Sequence, residues 1–346
     1  GVVSICEKEK RESEMKKLGC MLMAVLMAVA VSGCSDKKEA SENKETEKKV
    51  TLILDYLPNT NHTGFYVAKE KGFFKEEGLD VDIIEPGDDS TSATLVAANK
   101  GEFGVSYQED VTYARTAEEP LPIRAIATII QHNTSGFVSL KKENIKSPKD
   151  FEGKVYAGWQ APSEEAVVKA VMTAAKADFS KLTMVGADGS GFASLGKSVD
   201  IQWEFEGWAV TKGRMEGYDL KYIPLRELDE RLDYYTPVII TSEKMIKEDP
   251  ETVQKFMNAV KKGYEYAIEN PDAAAEILSK YAPDYDLKFL KESQKYLSSE
   301  YARDADSWGV MKDSVWDNYT AFMYENKLIT EKIKADEQYT NEFVTK

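Results

Sequence analysis

Residues 50–86 read VTLILDYLPNTNHTGFYVAKEKGFFKEEGLDVDIIEP. The run opens with a short apolar stretch, 50–56, of the kind that forms a buried strand. A polar loop follows, and GFYVAKEKGFFKEE predicts a helix over 64–77, with Gly78 at its end. LDVDIIEP then alternates as a strand over 79–86 and stops at Pro86. A strand, a polar loop, a helix and a second strand in this order make the first unit of an α/β fold.

The same rhythm continues outward. Ser90 or Ser92 can cap a helix that Gly101 ends; FGVS (103–106) reads as a strand, 109–117 as a helix and IRAIATII (123–130) as a strand. A second cluster of strands follows: FVSLK (137–141), KVYAG (154–158), LTMVG (182–186), DIQWEF (200–205) and LKYIP (220–224). Helices between them are expected to start near Pro162, Gly191 and Gly207. PVIITS (237–242) returns to a strand, and 242–326 is helical in pattern, with stops at Pro271 and Pro283. Alternation over this length predicts a parallel or mixed α/β sheet, and the helical tail is expected to pack across the first sheet. Trp308 and Trp316, eight apart in that tail, read as core, as does Trp203. RELDERLD (226–233) reads as a solvated face.

Composition bounds what this fold can do. The chain has 346 residues, 42% of them hydrophobic, which is enough for a sizeable core. Lys plus Arg is 45 and Asp plus Glu is 60, a net charge of −15, so a phosphate backbone is repelled and nucleic acid is a poor partner. Cys6, Cys20 and Cys34 all lie near the N-terminus, and the rest of the chain has none, which excludes a cysteine nucleophile or cysteine metal site there. His62 and His132 are the only histidines, so a multi-histidine metal centre is excluded too. GxSxG, P-loop and strand-GxGxxG patterns are absent, and neither an enzyme activity, a metal nor a cofactor is expected.

The N-terminus reads as an address. LGCMLMAVLMAVAVSG (18–33) follows Lys16 and Lys17 and has the length of a signal-peptide core rather than a membrane span. Val31-Ser32-Gly33-Cys34 resembles a bacterial lipobox, in which Cys34 is lipidated and becomes the mature N-terminus. Met15 is a natural start, which makes 1–14 an extension. Residues 35–49, SDKKEASENKETEKK, form a polar tether that cannot bury enough surface to fold. The expected location is therefore the outer face of the cell membrane, held by lipid.

Ligands of open α/β sheets sit beyond the carboxyl ends of strands. The loops there are rich in amides, aromatics and carboxylates: Asp55 to Gly64, Tyr107-Gln108-Glu109-Asp110, Gln131 to Gly136, Trp159-Gln160, Glu206-Gly207-Trp208 and Asp233 to Thr236. Aromatic faces can sandwich a flat ring while amides and carboxylates read its edge. Asn59, Thr60, Asn61 and Thr63 also read as turn and capping residues, and His62 as a capping histidine. The glycine-containing loop 186–191 reads as a tight turn rather than a phosphate cradle.

Several of these segments, among them LDYLPNTNHTGFYVAKEKGFF, GVSYQEDV, QHNTSGFVSL and DYYTPVIITSEKMI, resemble the ThiY-like pyrimidine-binding proteins of thiamine-precursor ABC importers. The resemblance covers about residues 50–345. It implies a two-lobed periplasmic-binding-protein-like fold of the second type, with lobe 1 formed by 50–136 plus 238–346 and lobe 2 by 137–237. It implies an aminopyrimidine thiamine precursor in the cleft between them, formylaminopyrimidine or hydroxymethylpyrimidine, and an ABC permease with its ATPase as partner. Another flat heterocycle, such as a flavin precursor, is the alternative ligand. For a pyrimidine, Tyr56, Trp159, Trp208 and Tyr235 are the candidate stacking faces. Glu206 or Glu109 would accept from the exocyclic amine. Asn59, Asn61, His62, Tyr107 and the backbone near Ser135 and Gly136 would complete the ring's hydrogen bonds. The alternative from the enzyme class is the fungal pyrimidine synthase of the same superfamily, which binds pyridoxal phosphate through a lysine and consumes one of its own histidines. Ser106 and Asp110 stand at those two positions here, and the segment matching its cysteine-rich stretch, 229–241, has no cysteine.

Overall fold

The computed structural model describes residues 46–345; the signal segment, Cys34 and nearly all of the tether lie outside the described residues. The first sheet holds β1 (Lys48–Ile53), β2 (Leu79–Ile84), β3 (Phe103–Ser106), β4 (Ile123–Thr128) and β10 (Val238–Ser242). The second holds β5 (Ser135–Leu140), β6 (Val155–Gly158), β7 (Thr183–Gly186), β8 (Ile201–Phe205) and β9 (Leu220–Pro224). Their orders are β2-β1-β3-β10-β4 and β7-β6-β8-β5-β9. Four strands of each sheet run in one direction, and the fourth position is filled by a single antiparallel strand that has just crossed from the other sheet, β10 in the first and β5 in the second. The chain thus crosses between the sheets twice, after β4 and before β10.

Helices cover the faces. In the first half they are α1 (Thr63–Glu70), α2 (Phe73–Glu76), α3 (Ser92–Ala97) and α4 (Gln108–Thr116). α5 (Pro162–Ala174), α6 (Thr211–Met215) and α7 (Leu225–Leu228) belong to the second sheet's segment. The tail supplies α8 (Glu243–Glu248), α9 (Pro250–Glu269), α10 (Pro271–Ser279), α11 (Leu287–Glu300) and α12 (Asp313–Glu325). The expected single helix over 64–77 is two, because Gly72 adopts φ +77 and breaks it between α1 and α2. The cap before α3 is Thr91, whose side chain accepts the Thr94 N–H, not Ser90 or Ser92. No helix forms near Gly191; positive φ at Gly189 and Gly191 keeps 187–199 in turns among the described residues.

α9 carries the first core. Asp249 caps it, Pro250 occupies its first turn, and Val253, Phe256, Met257, Val260, Tyr264 and Ala267 recur on one face. Phe256 stacks on Phe103 of β3 with centroids 3.8 Å apart, and Tyr264 stacks on Trp308 at 4.5 Å. Each such buried side chain contributes about 1.5–3 kcal/mol. Trp308 and Trp316 are both buried, as their spacing predicts. α12 behaves differently. Its Tyr319, Phe322 and Met323 pack with Val167, Ile223 and Leu232 in the second sheet's core, so this tail helix bridges the two cores. The reason is apolar: Trp316 faces the first-sheet cluster with Tyr235 and Tyr339, while the opposite turn of the helix still has large side chains to bury. RELDERLD is not simply a solvated face either, since Arg226 forms a bidentate pair with the buried Glu300 of α11 at 3.0 and 3.3 Å.

α1 and α9 touch backbone to backbone. A Cβ on Gly263 would stand 2.0 Å from the Gly64 carbonyl oxygen, and one on Gly64 would lie 2.2 Å from the Tyr264 ring. This contact fixes where α1 begins, and α1 begins at the end of the first polar loop. Gly263→Ala should therefore destabilise the fold by about 1–3 kcal/mol, because the obstacle is backbone and cannot rotate away. Guanidinium unfolding of the variant checks this, and an unchanged midpoint would contradict the close contact.

Candidate functional site

The polar loops converge at the carboxyl ends of β1, β3 and β8. They enclose a cavity of about 230 Å³ lined from both sheets: Asp55, Tyr56, Asn59, Asn61 and Tyr107 on one side, Thr134, Phe205 and Trp208 on the other, with Thr236 from the second crossing. Thr60, Gly207 and Leu297 complete the wall.

Among the described residues Asp55 is its only charged lining residue. The carboxylate is 8% exposed, and two donors hold it: the His62 ring through Nε2 at 2.6 Å to Oδ1, and the Tyr107 hydroxyl at 2.9 Å to Oδ2. His62 Nδ1 accepts the Asn59 N–H at 3.2 Å, so the ring proton sits on Nε2 and points at Asp55. Burial pushes the Asp55 carboxyl up, but the interaction with His62 and the hydrogen bonds from His62 and Tyr107 pull it further down, leaving it below the ordinary carboxylate value. The same arrangement drives the Tyr107 phenol upward, through burial and the neighbouring Asp55 charge. The pair is an anion and a neutral donor.

The loop that presents them is fixed from below. Asn59 Oδ1 accepts the Asn61 N–H at 2.9 Å and Asn59 Nδ2 donates to the Leu57 carbonyl at 2.9 Å, a turn of the Asx type. Tyr264 of α9 donates to the Asn61 carbonyl at 2.6 Å, Tyr301 donates to the Thr60 carbonyl, and the Thr63 hydroxyl donates to Gln294 at 2.6 Å. What the loop leaves free is informative. The side-chain amide of Asn61 and the hydroxyls of Thr134 and Thr236 line the cavity without a hydrogen bond among the described residues. Tyr56, 63% exposed, and Phe205, 44% exposed, stand there as uncovered aromatic surface, and Trp208 is braced edge-on by Tyr285 and Phe289 at 4.9 and 4.8 Å.

Five of the expected residues thus meet in one cavity: Tyr56, Asn59, Asn61, Tyr107 and Trp208. The others do not line it. His62 is fully buried and acts through Asp55. Ser135 spends its hydroxyl and N–H on Asn133, at 2.6 and 3.0 Å. Gly136 is a strand residue whose Cβ would strike the Ile223 carbonyl at 2.2 Å. Tyr235, expected as a stacking face, is core beside Trp316, and its hydroxyl accepts the Lys312 N–H. Glu109 accepts from Tyr319 of α12 at 2.6 Å and from Ser163 of α5 at 3.4 Å; burial pushes its carboxyl up. Glu206 accepts from Tyr296 of α11 at 2.8 Å, a bond between the second sheet and the tail. Trp159 lies at a separate cavity of the second sheet. Glu206 and Glu109 do not line this cavity, and the carboxylate that does is Asp55. The sequence offers one signal for it, an acidic residue closing an apolar strand. Thr134 and Thr236 lie in strand-end loops but are not singled out there, and Phe205 ends its strand; their place at the cavity depends on how the two crossings bring the sheets together.

Comparison with known proteins completes the description. The chain is 25% identical to the formylaminopyrimidine-binding protein of Halalkalibacterium halodurans, over 92% of this chain and 98% of that protein. It is 24% identical to the 4-amino-5-hydroxymethyl-2-methylpyrimidine phosphate synthase THI13 of Saccharomyces cerevisiae, over 86% of this chain and 88% of that one. The expectation that no enzyme activity attaches to this chain is corrected by that match: proteins named as synthases are among its full-length relatives, so descent does not set it apart from enzymes. The alkanesulfonate-binding protein SsuA of Xanthomonas axonopodis superposes with a TM-score of 0.64 at 10% identity, over 84% of this chain and 98% of that one. The fold is accordingly the two-lobed periplasmic-binding-protein type, and the cavity lies between its lobes. Residues 59–274 match the model of the family described as NMT1/THI5 like, and the chain belongs to that family.

Proposed function

We propose that this chain is the extracytoplasmic binding component of an ABC importer and that it carries an unphosphorylated aminopyrimidine thiamine precursor, such as formylaminopyrimidine. One observation carries the reading. The inter-lobe cavity combines a buried carboxylate, three unpaired edge-reading groups and uncovered aromatic surface at a volume of about 230 Å³. Drug-sized ligands occupy roughly 300–1,000 Å³, so this cavity suits a single substituted ring better than a three-ring flavin. An aminopyrimidine has two flat faces, ring nitrogens that accept, and an amine that donates. Tyr56, Phe205 and Trp208 offer the faces, Asn61, Thr134 and Thr236 can donate to the ring nitrogens, and Asp55 accepts from the amine. No lysine or arginine lines the cavity, so a phosphate would meet Asp55 without a counter-charge. The name of the Halalkalibacterium relative supports the same ligand class. The membrane partnership draws its support from the sequence, where a signal-like segment, a lipobox-like Cys34 and a polar tether precede the folded body.

Two experiments test this reading. A carboxylate facing a ligand N–H makes a charge-assisted bond, about 1.5–3 kcal/mol. Asp55→Asn should therefore weaken formylaminopyrimidine by roughly ten- to a hundredfold. Trp208→Ala should cost a similar amount through lost stacking. Isothermal titration reads both, and wild-type affinity in the two variants would remove the ligand from this cavity. Separately, Cys34→Ser should release the body from membranes with ligand affinity intact, because a single residue carries the lipid. Retention of that variant in the membrane fraction would overturn the anchor.

A further inference from the structure

A second and larger cavity, about 670 Å³, lies within the second sheet's own segment, between the ends of β6, β7 and β8 and the turns of 187–199. The pyrimidine reading does not use it. Small residues make the room: Ala157, Gly158, Gly186, Ala187, Gly189 and Gly191 all line it. Two charged residues line it, Asp188 and Glu204, and both are acidic. Asp188 closes its own turn by accepting the Ser190 N–H at 2.9 Å. The Glu204 side chain has no hydrogen bond or ion pair among the described residues, although it is half-buried. Burial alone pushes its carboxyl up to about 7, with no cation to bring it down. Such a carboxylate costs stability where it stands, unless something positive arrives.

Beside it stands Trp159, 56% exposed. This is not a loosely held surface ring. Glu164 of α5 accepts the Gln160 N–H at 2.9 Å, the Trp159 N–H at 3.3 Å and the Tyr156 hydroxyl at 2.7 Å, which locks the turn that carries the indole. The ring is braced against Trp203, with centroids 4.9 Å apart. Gln202 donates to the Gly191 carbonyl at 2.8 Å, tying the covering turns to β8. An uncovered, fixed indole next to an unpaired carboxylate in a roomy pocket is a pattern suited to cations, whose charge interacts with both the ring face and the carboxylate. The volume falls within the roughly 300–1,000 Å³ of small-molecule sites.

We propose that this second cavity binds a flat heteroaromatic cation, held between the indole of Trp159 and the carboxylate of Glu204. The site is separate from the inter-lobe cavity and takes the opposite kind of molecule, one with a fixed positive charge rather than an unpaired amine.

The test uses the full chain at pH 8, above the Glu204 pKa, with 1-methylnicotinamide as the cation and nicotinamide as its uncharged counterpart. A pyridinium ring quenches indole emission on contact. The expected result is saturable quenching by 1-methylnicotinamide and only a linear, collisional response to nicotinamide. Glu204→Gln, close to isosteric, should weaken the cation at least tenfold, and Trp159→Ala should abolish the saturable signal, while Asp55→Asn leaves it in place. Equal responses to the charged and neutral molecules, or no saturable response to either, would overturn the proposal on the unaltered protein without any variant. Binding lost in Asp55→Asn but kept in Glu204→Gln would move the cation to the inter-lobe cavity and overturn it as well.

Discussion

The site is organised around one buried anion. Asp55 closes the first strand, loses most of its water, and stays ionised because His62 and Tyr107 each give it a hydrogen bond. An isolated carboxylate at that depth would cost several kcal/mol or pick up a proton. The rest of the loop follows from keeping those donors in place. The His62 tautomer is set by the Asn59 N–H, the Asn59 side chain is set by the turn it closes, and the carbonyls of Thr60 and Asn61 are held by tyrosines of α11's end and α9. The tyrosine on α9 neighbours Gly263, where α1 and α9 meet backbone to backbone. Helix packing in the first lobe is thereby transmitted to a single charged group at the lobe interface.

The other half of the site comes from the second sheet, and beside the apolar packing of Trp208 on Tyr285 and Phe289 its attachment is polar. Glu206 takes the Tyr296 hydroxyl, the Ser293 hydroxyl donates to the Gly207 carbonyl at 2.5 Å, and Arg226 pairs with Glu300. Polar contacts of this kind exchange with water at small net cost, which suits surfaces that separate and rejoin. α12 adds a second apolar link, since its Tyr319, Phe322 and Met323 enter the second core while Trp316 stays in a first-sheet cluster. At the two crossings His132 bonds Asp233 at 2.6 Å.

Much of this was legible in the residues, and what was not has a physical cause. VTLILD, FGVS and IRAIATII announce strands because their apolar runs are short and bounded by turn residues, and each does form one. The strand-end rule placed Tyr56, Asn59, Asn61, Tyr107 and Trp208 correctly in the loops that meet. It could not tell which side of the strand end each residue takes. Glu206 and Tyr235 sit at strand ends yet turn towards α11 and Trp316, where a phenol or an indole offers them a better environment. Asp55 stands in the first of those loops, but its burial and its two donors depend on His62 and Tyr107 folding onto it. Glycine breaks also escaped: Gly72 looks like any other residue in a helical pattern until its positive φ splits α1 from α2.

The most direct test of Asp55 as the recognition centre is a crystal structure of the chain with formylaminopyrimidine bound. The exocyclic amine should lie within hydrogen-bond distance of Asp55, with the ring against Trp208 and Tyr56 and its nitrogens facing Asn61 and the two threonines. A ring bound outside the inter-lobe cavity, or an amine directed to Glu206 with Asp55 still holding only His62 and Tyr107, would contradict it.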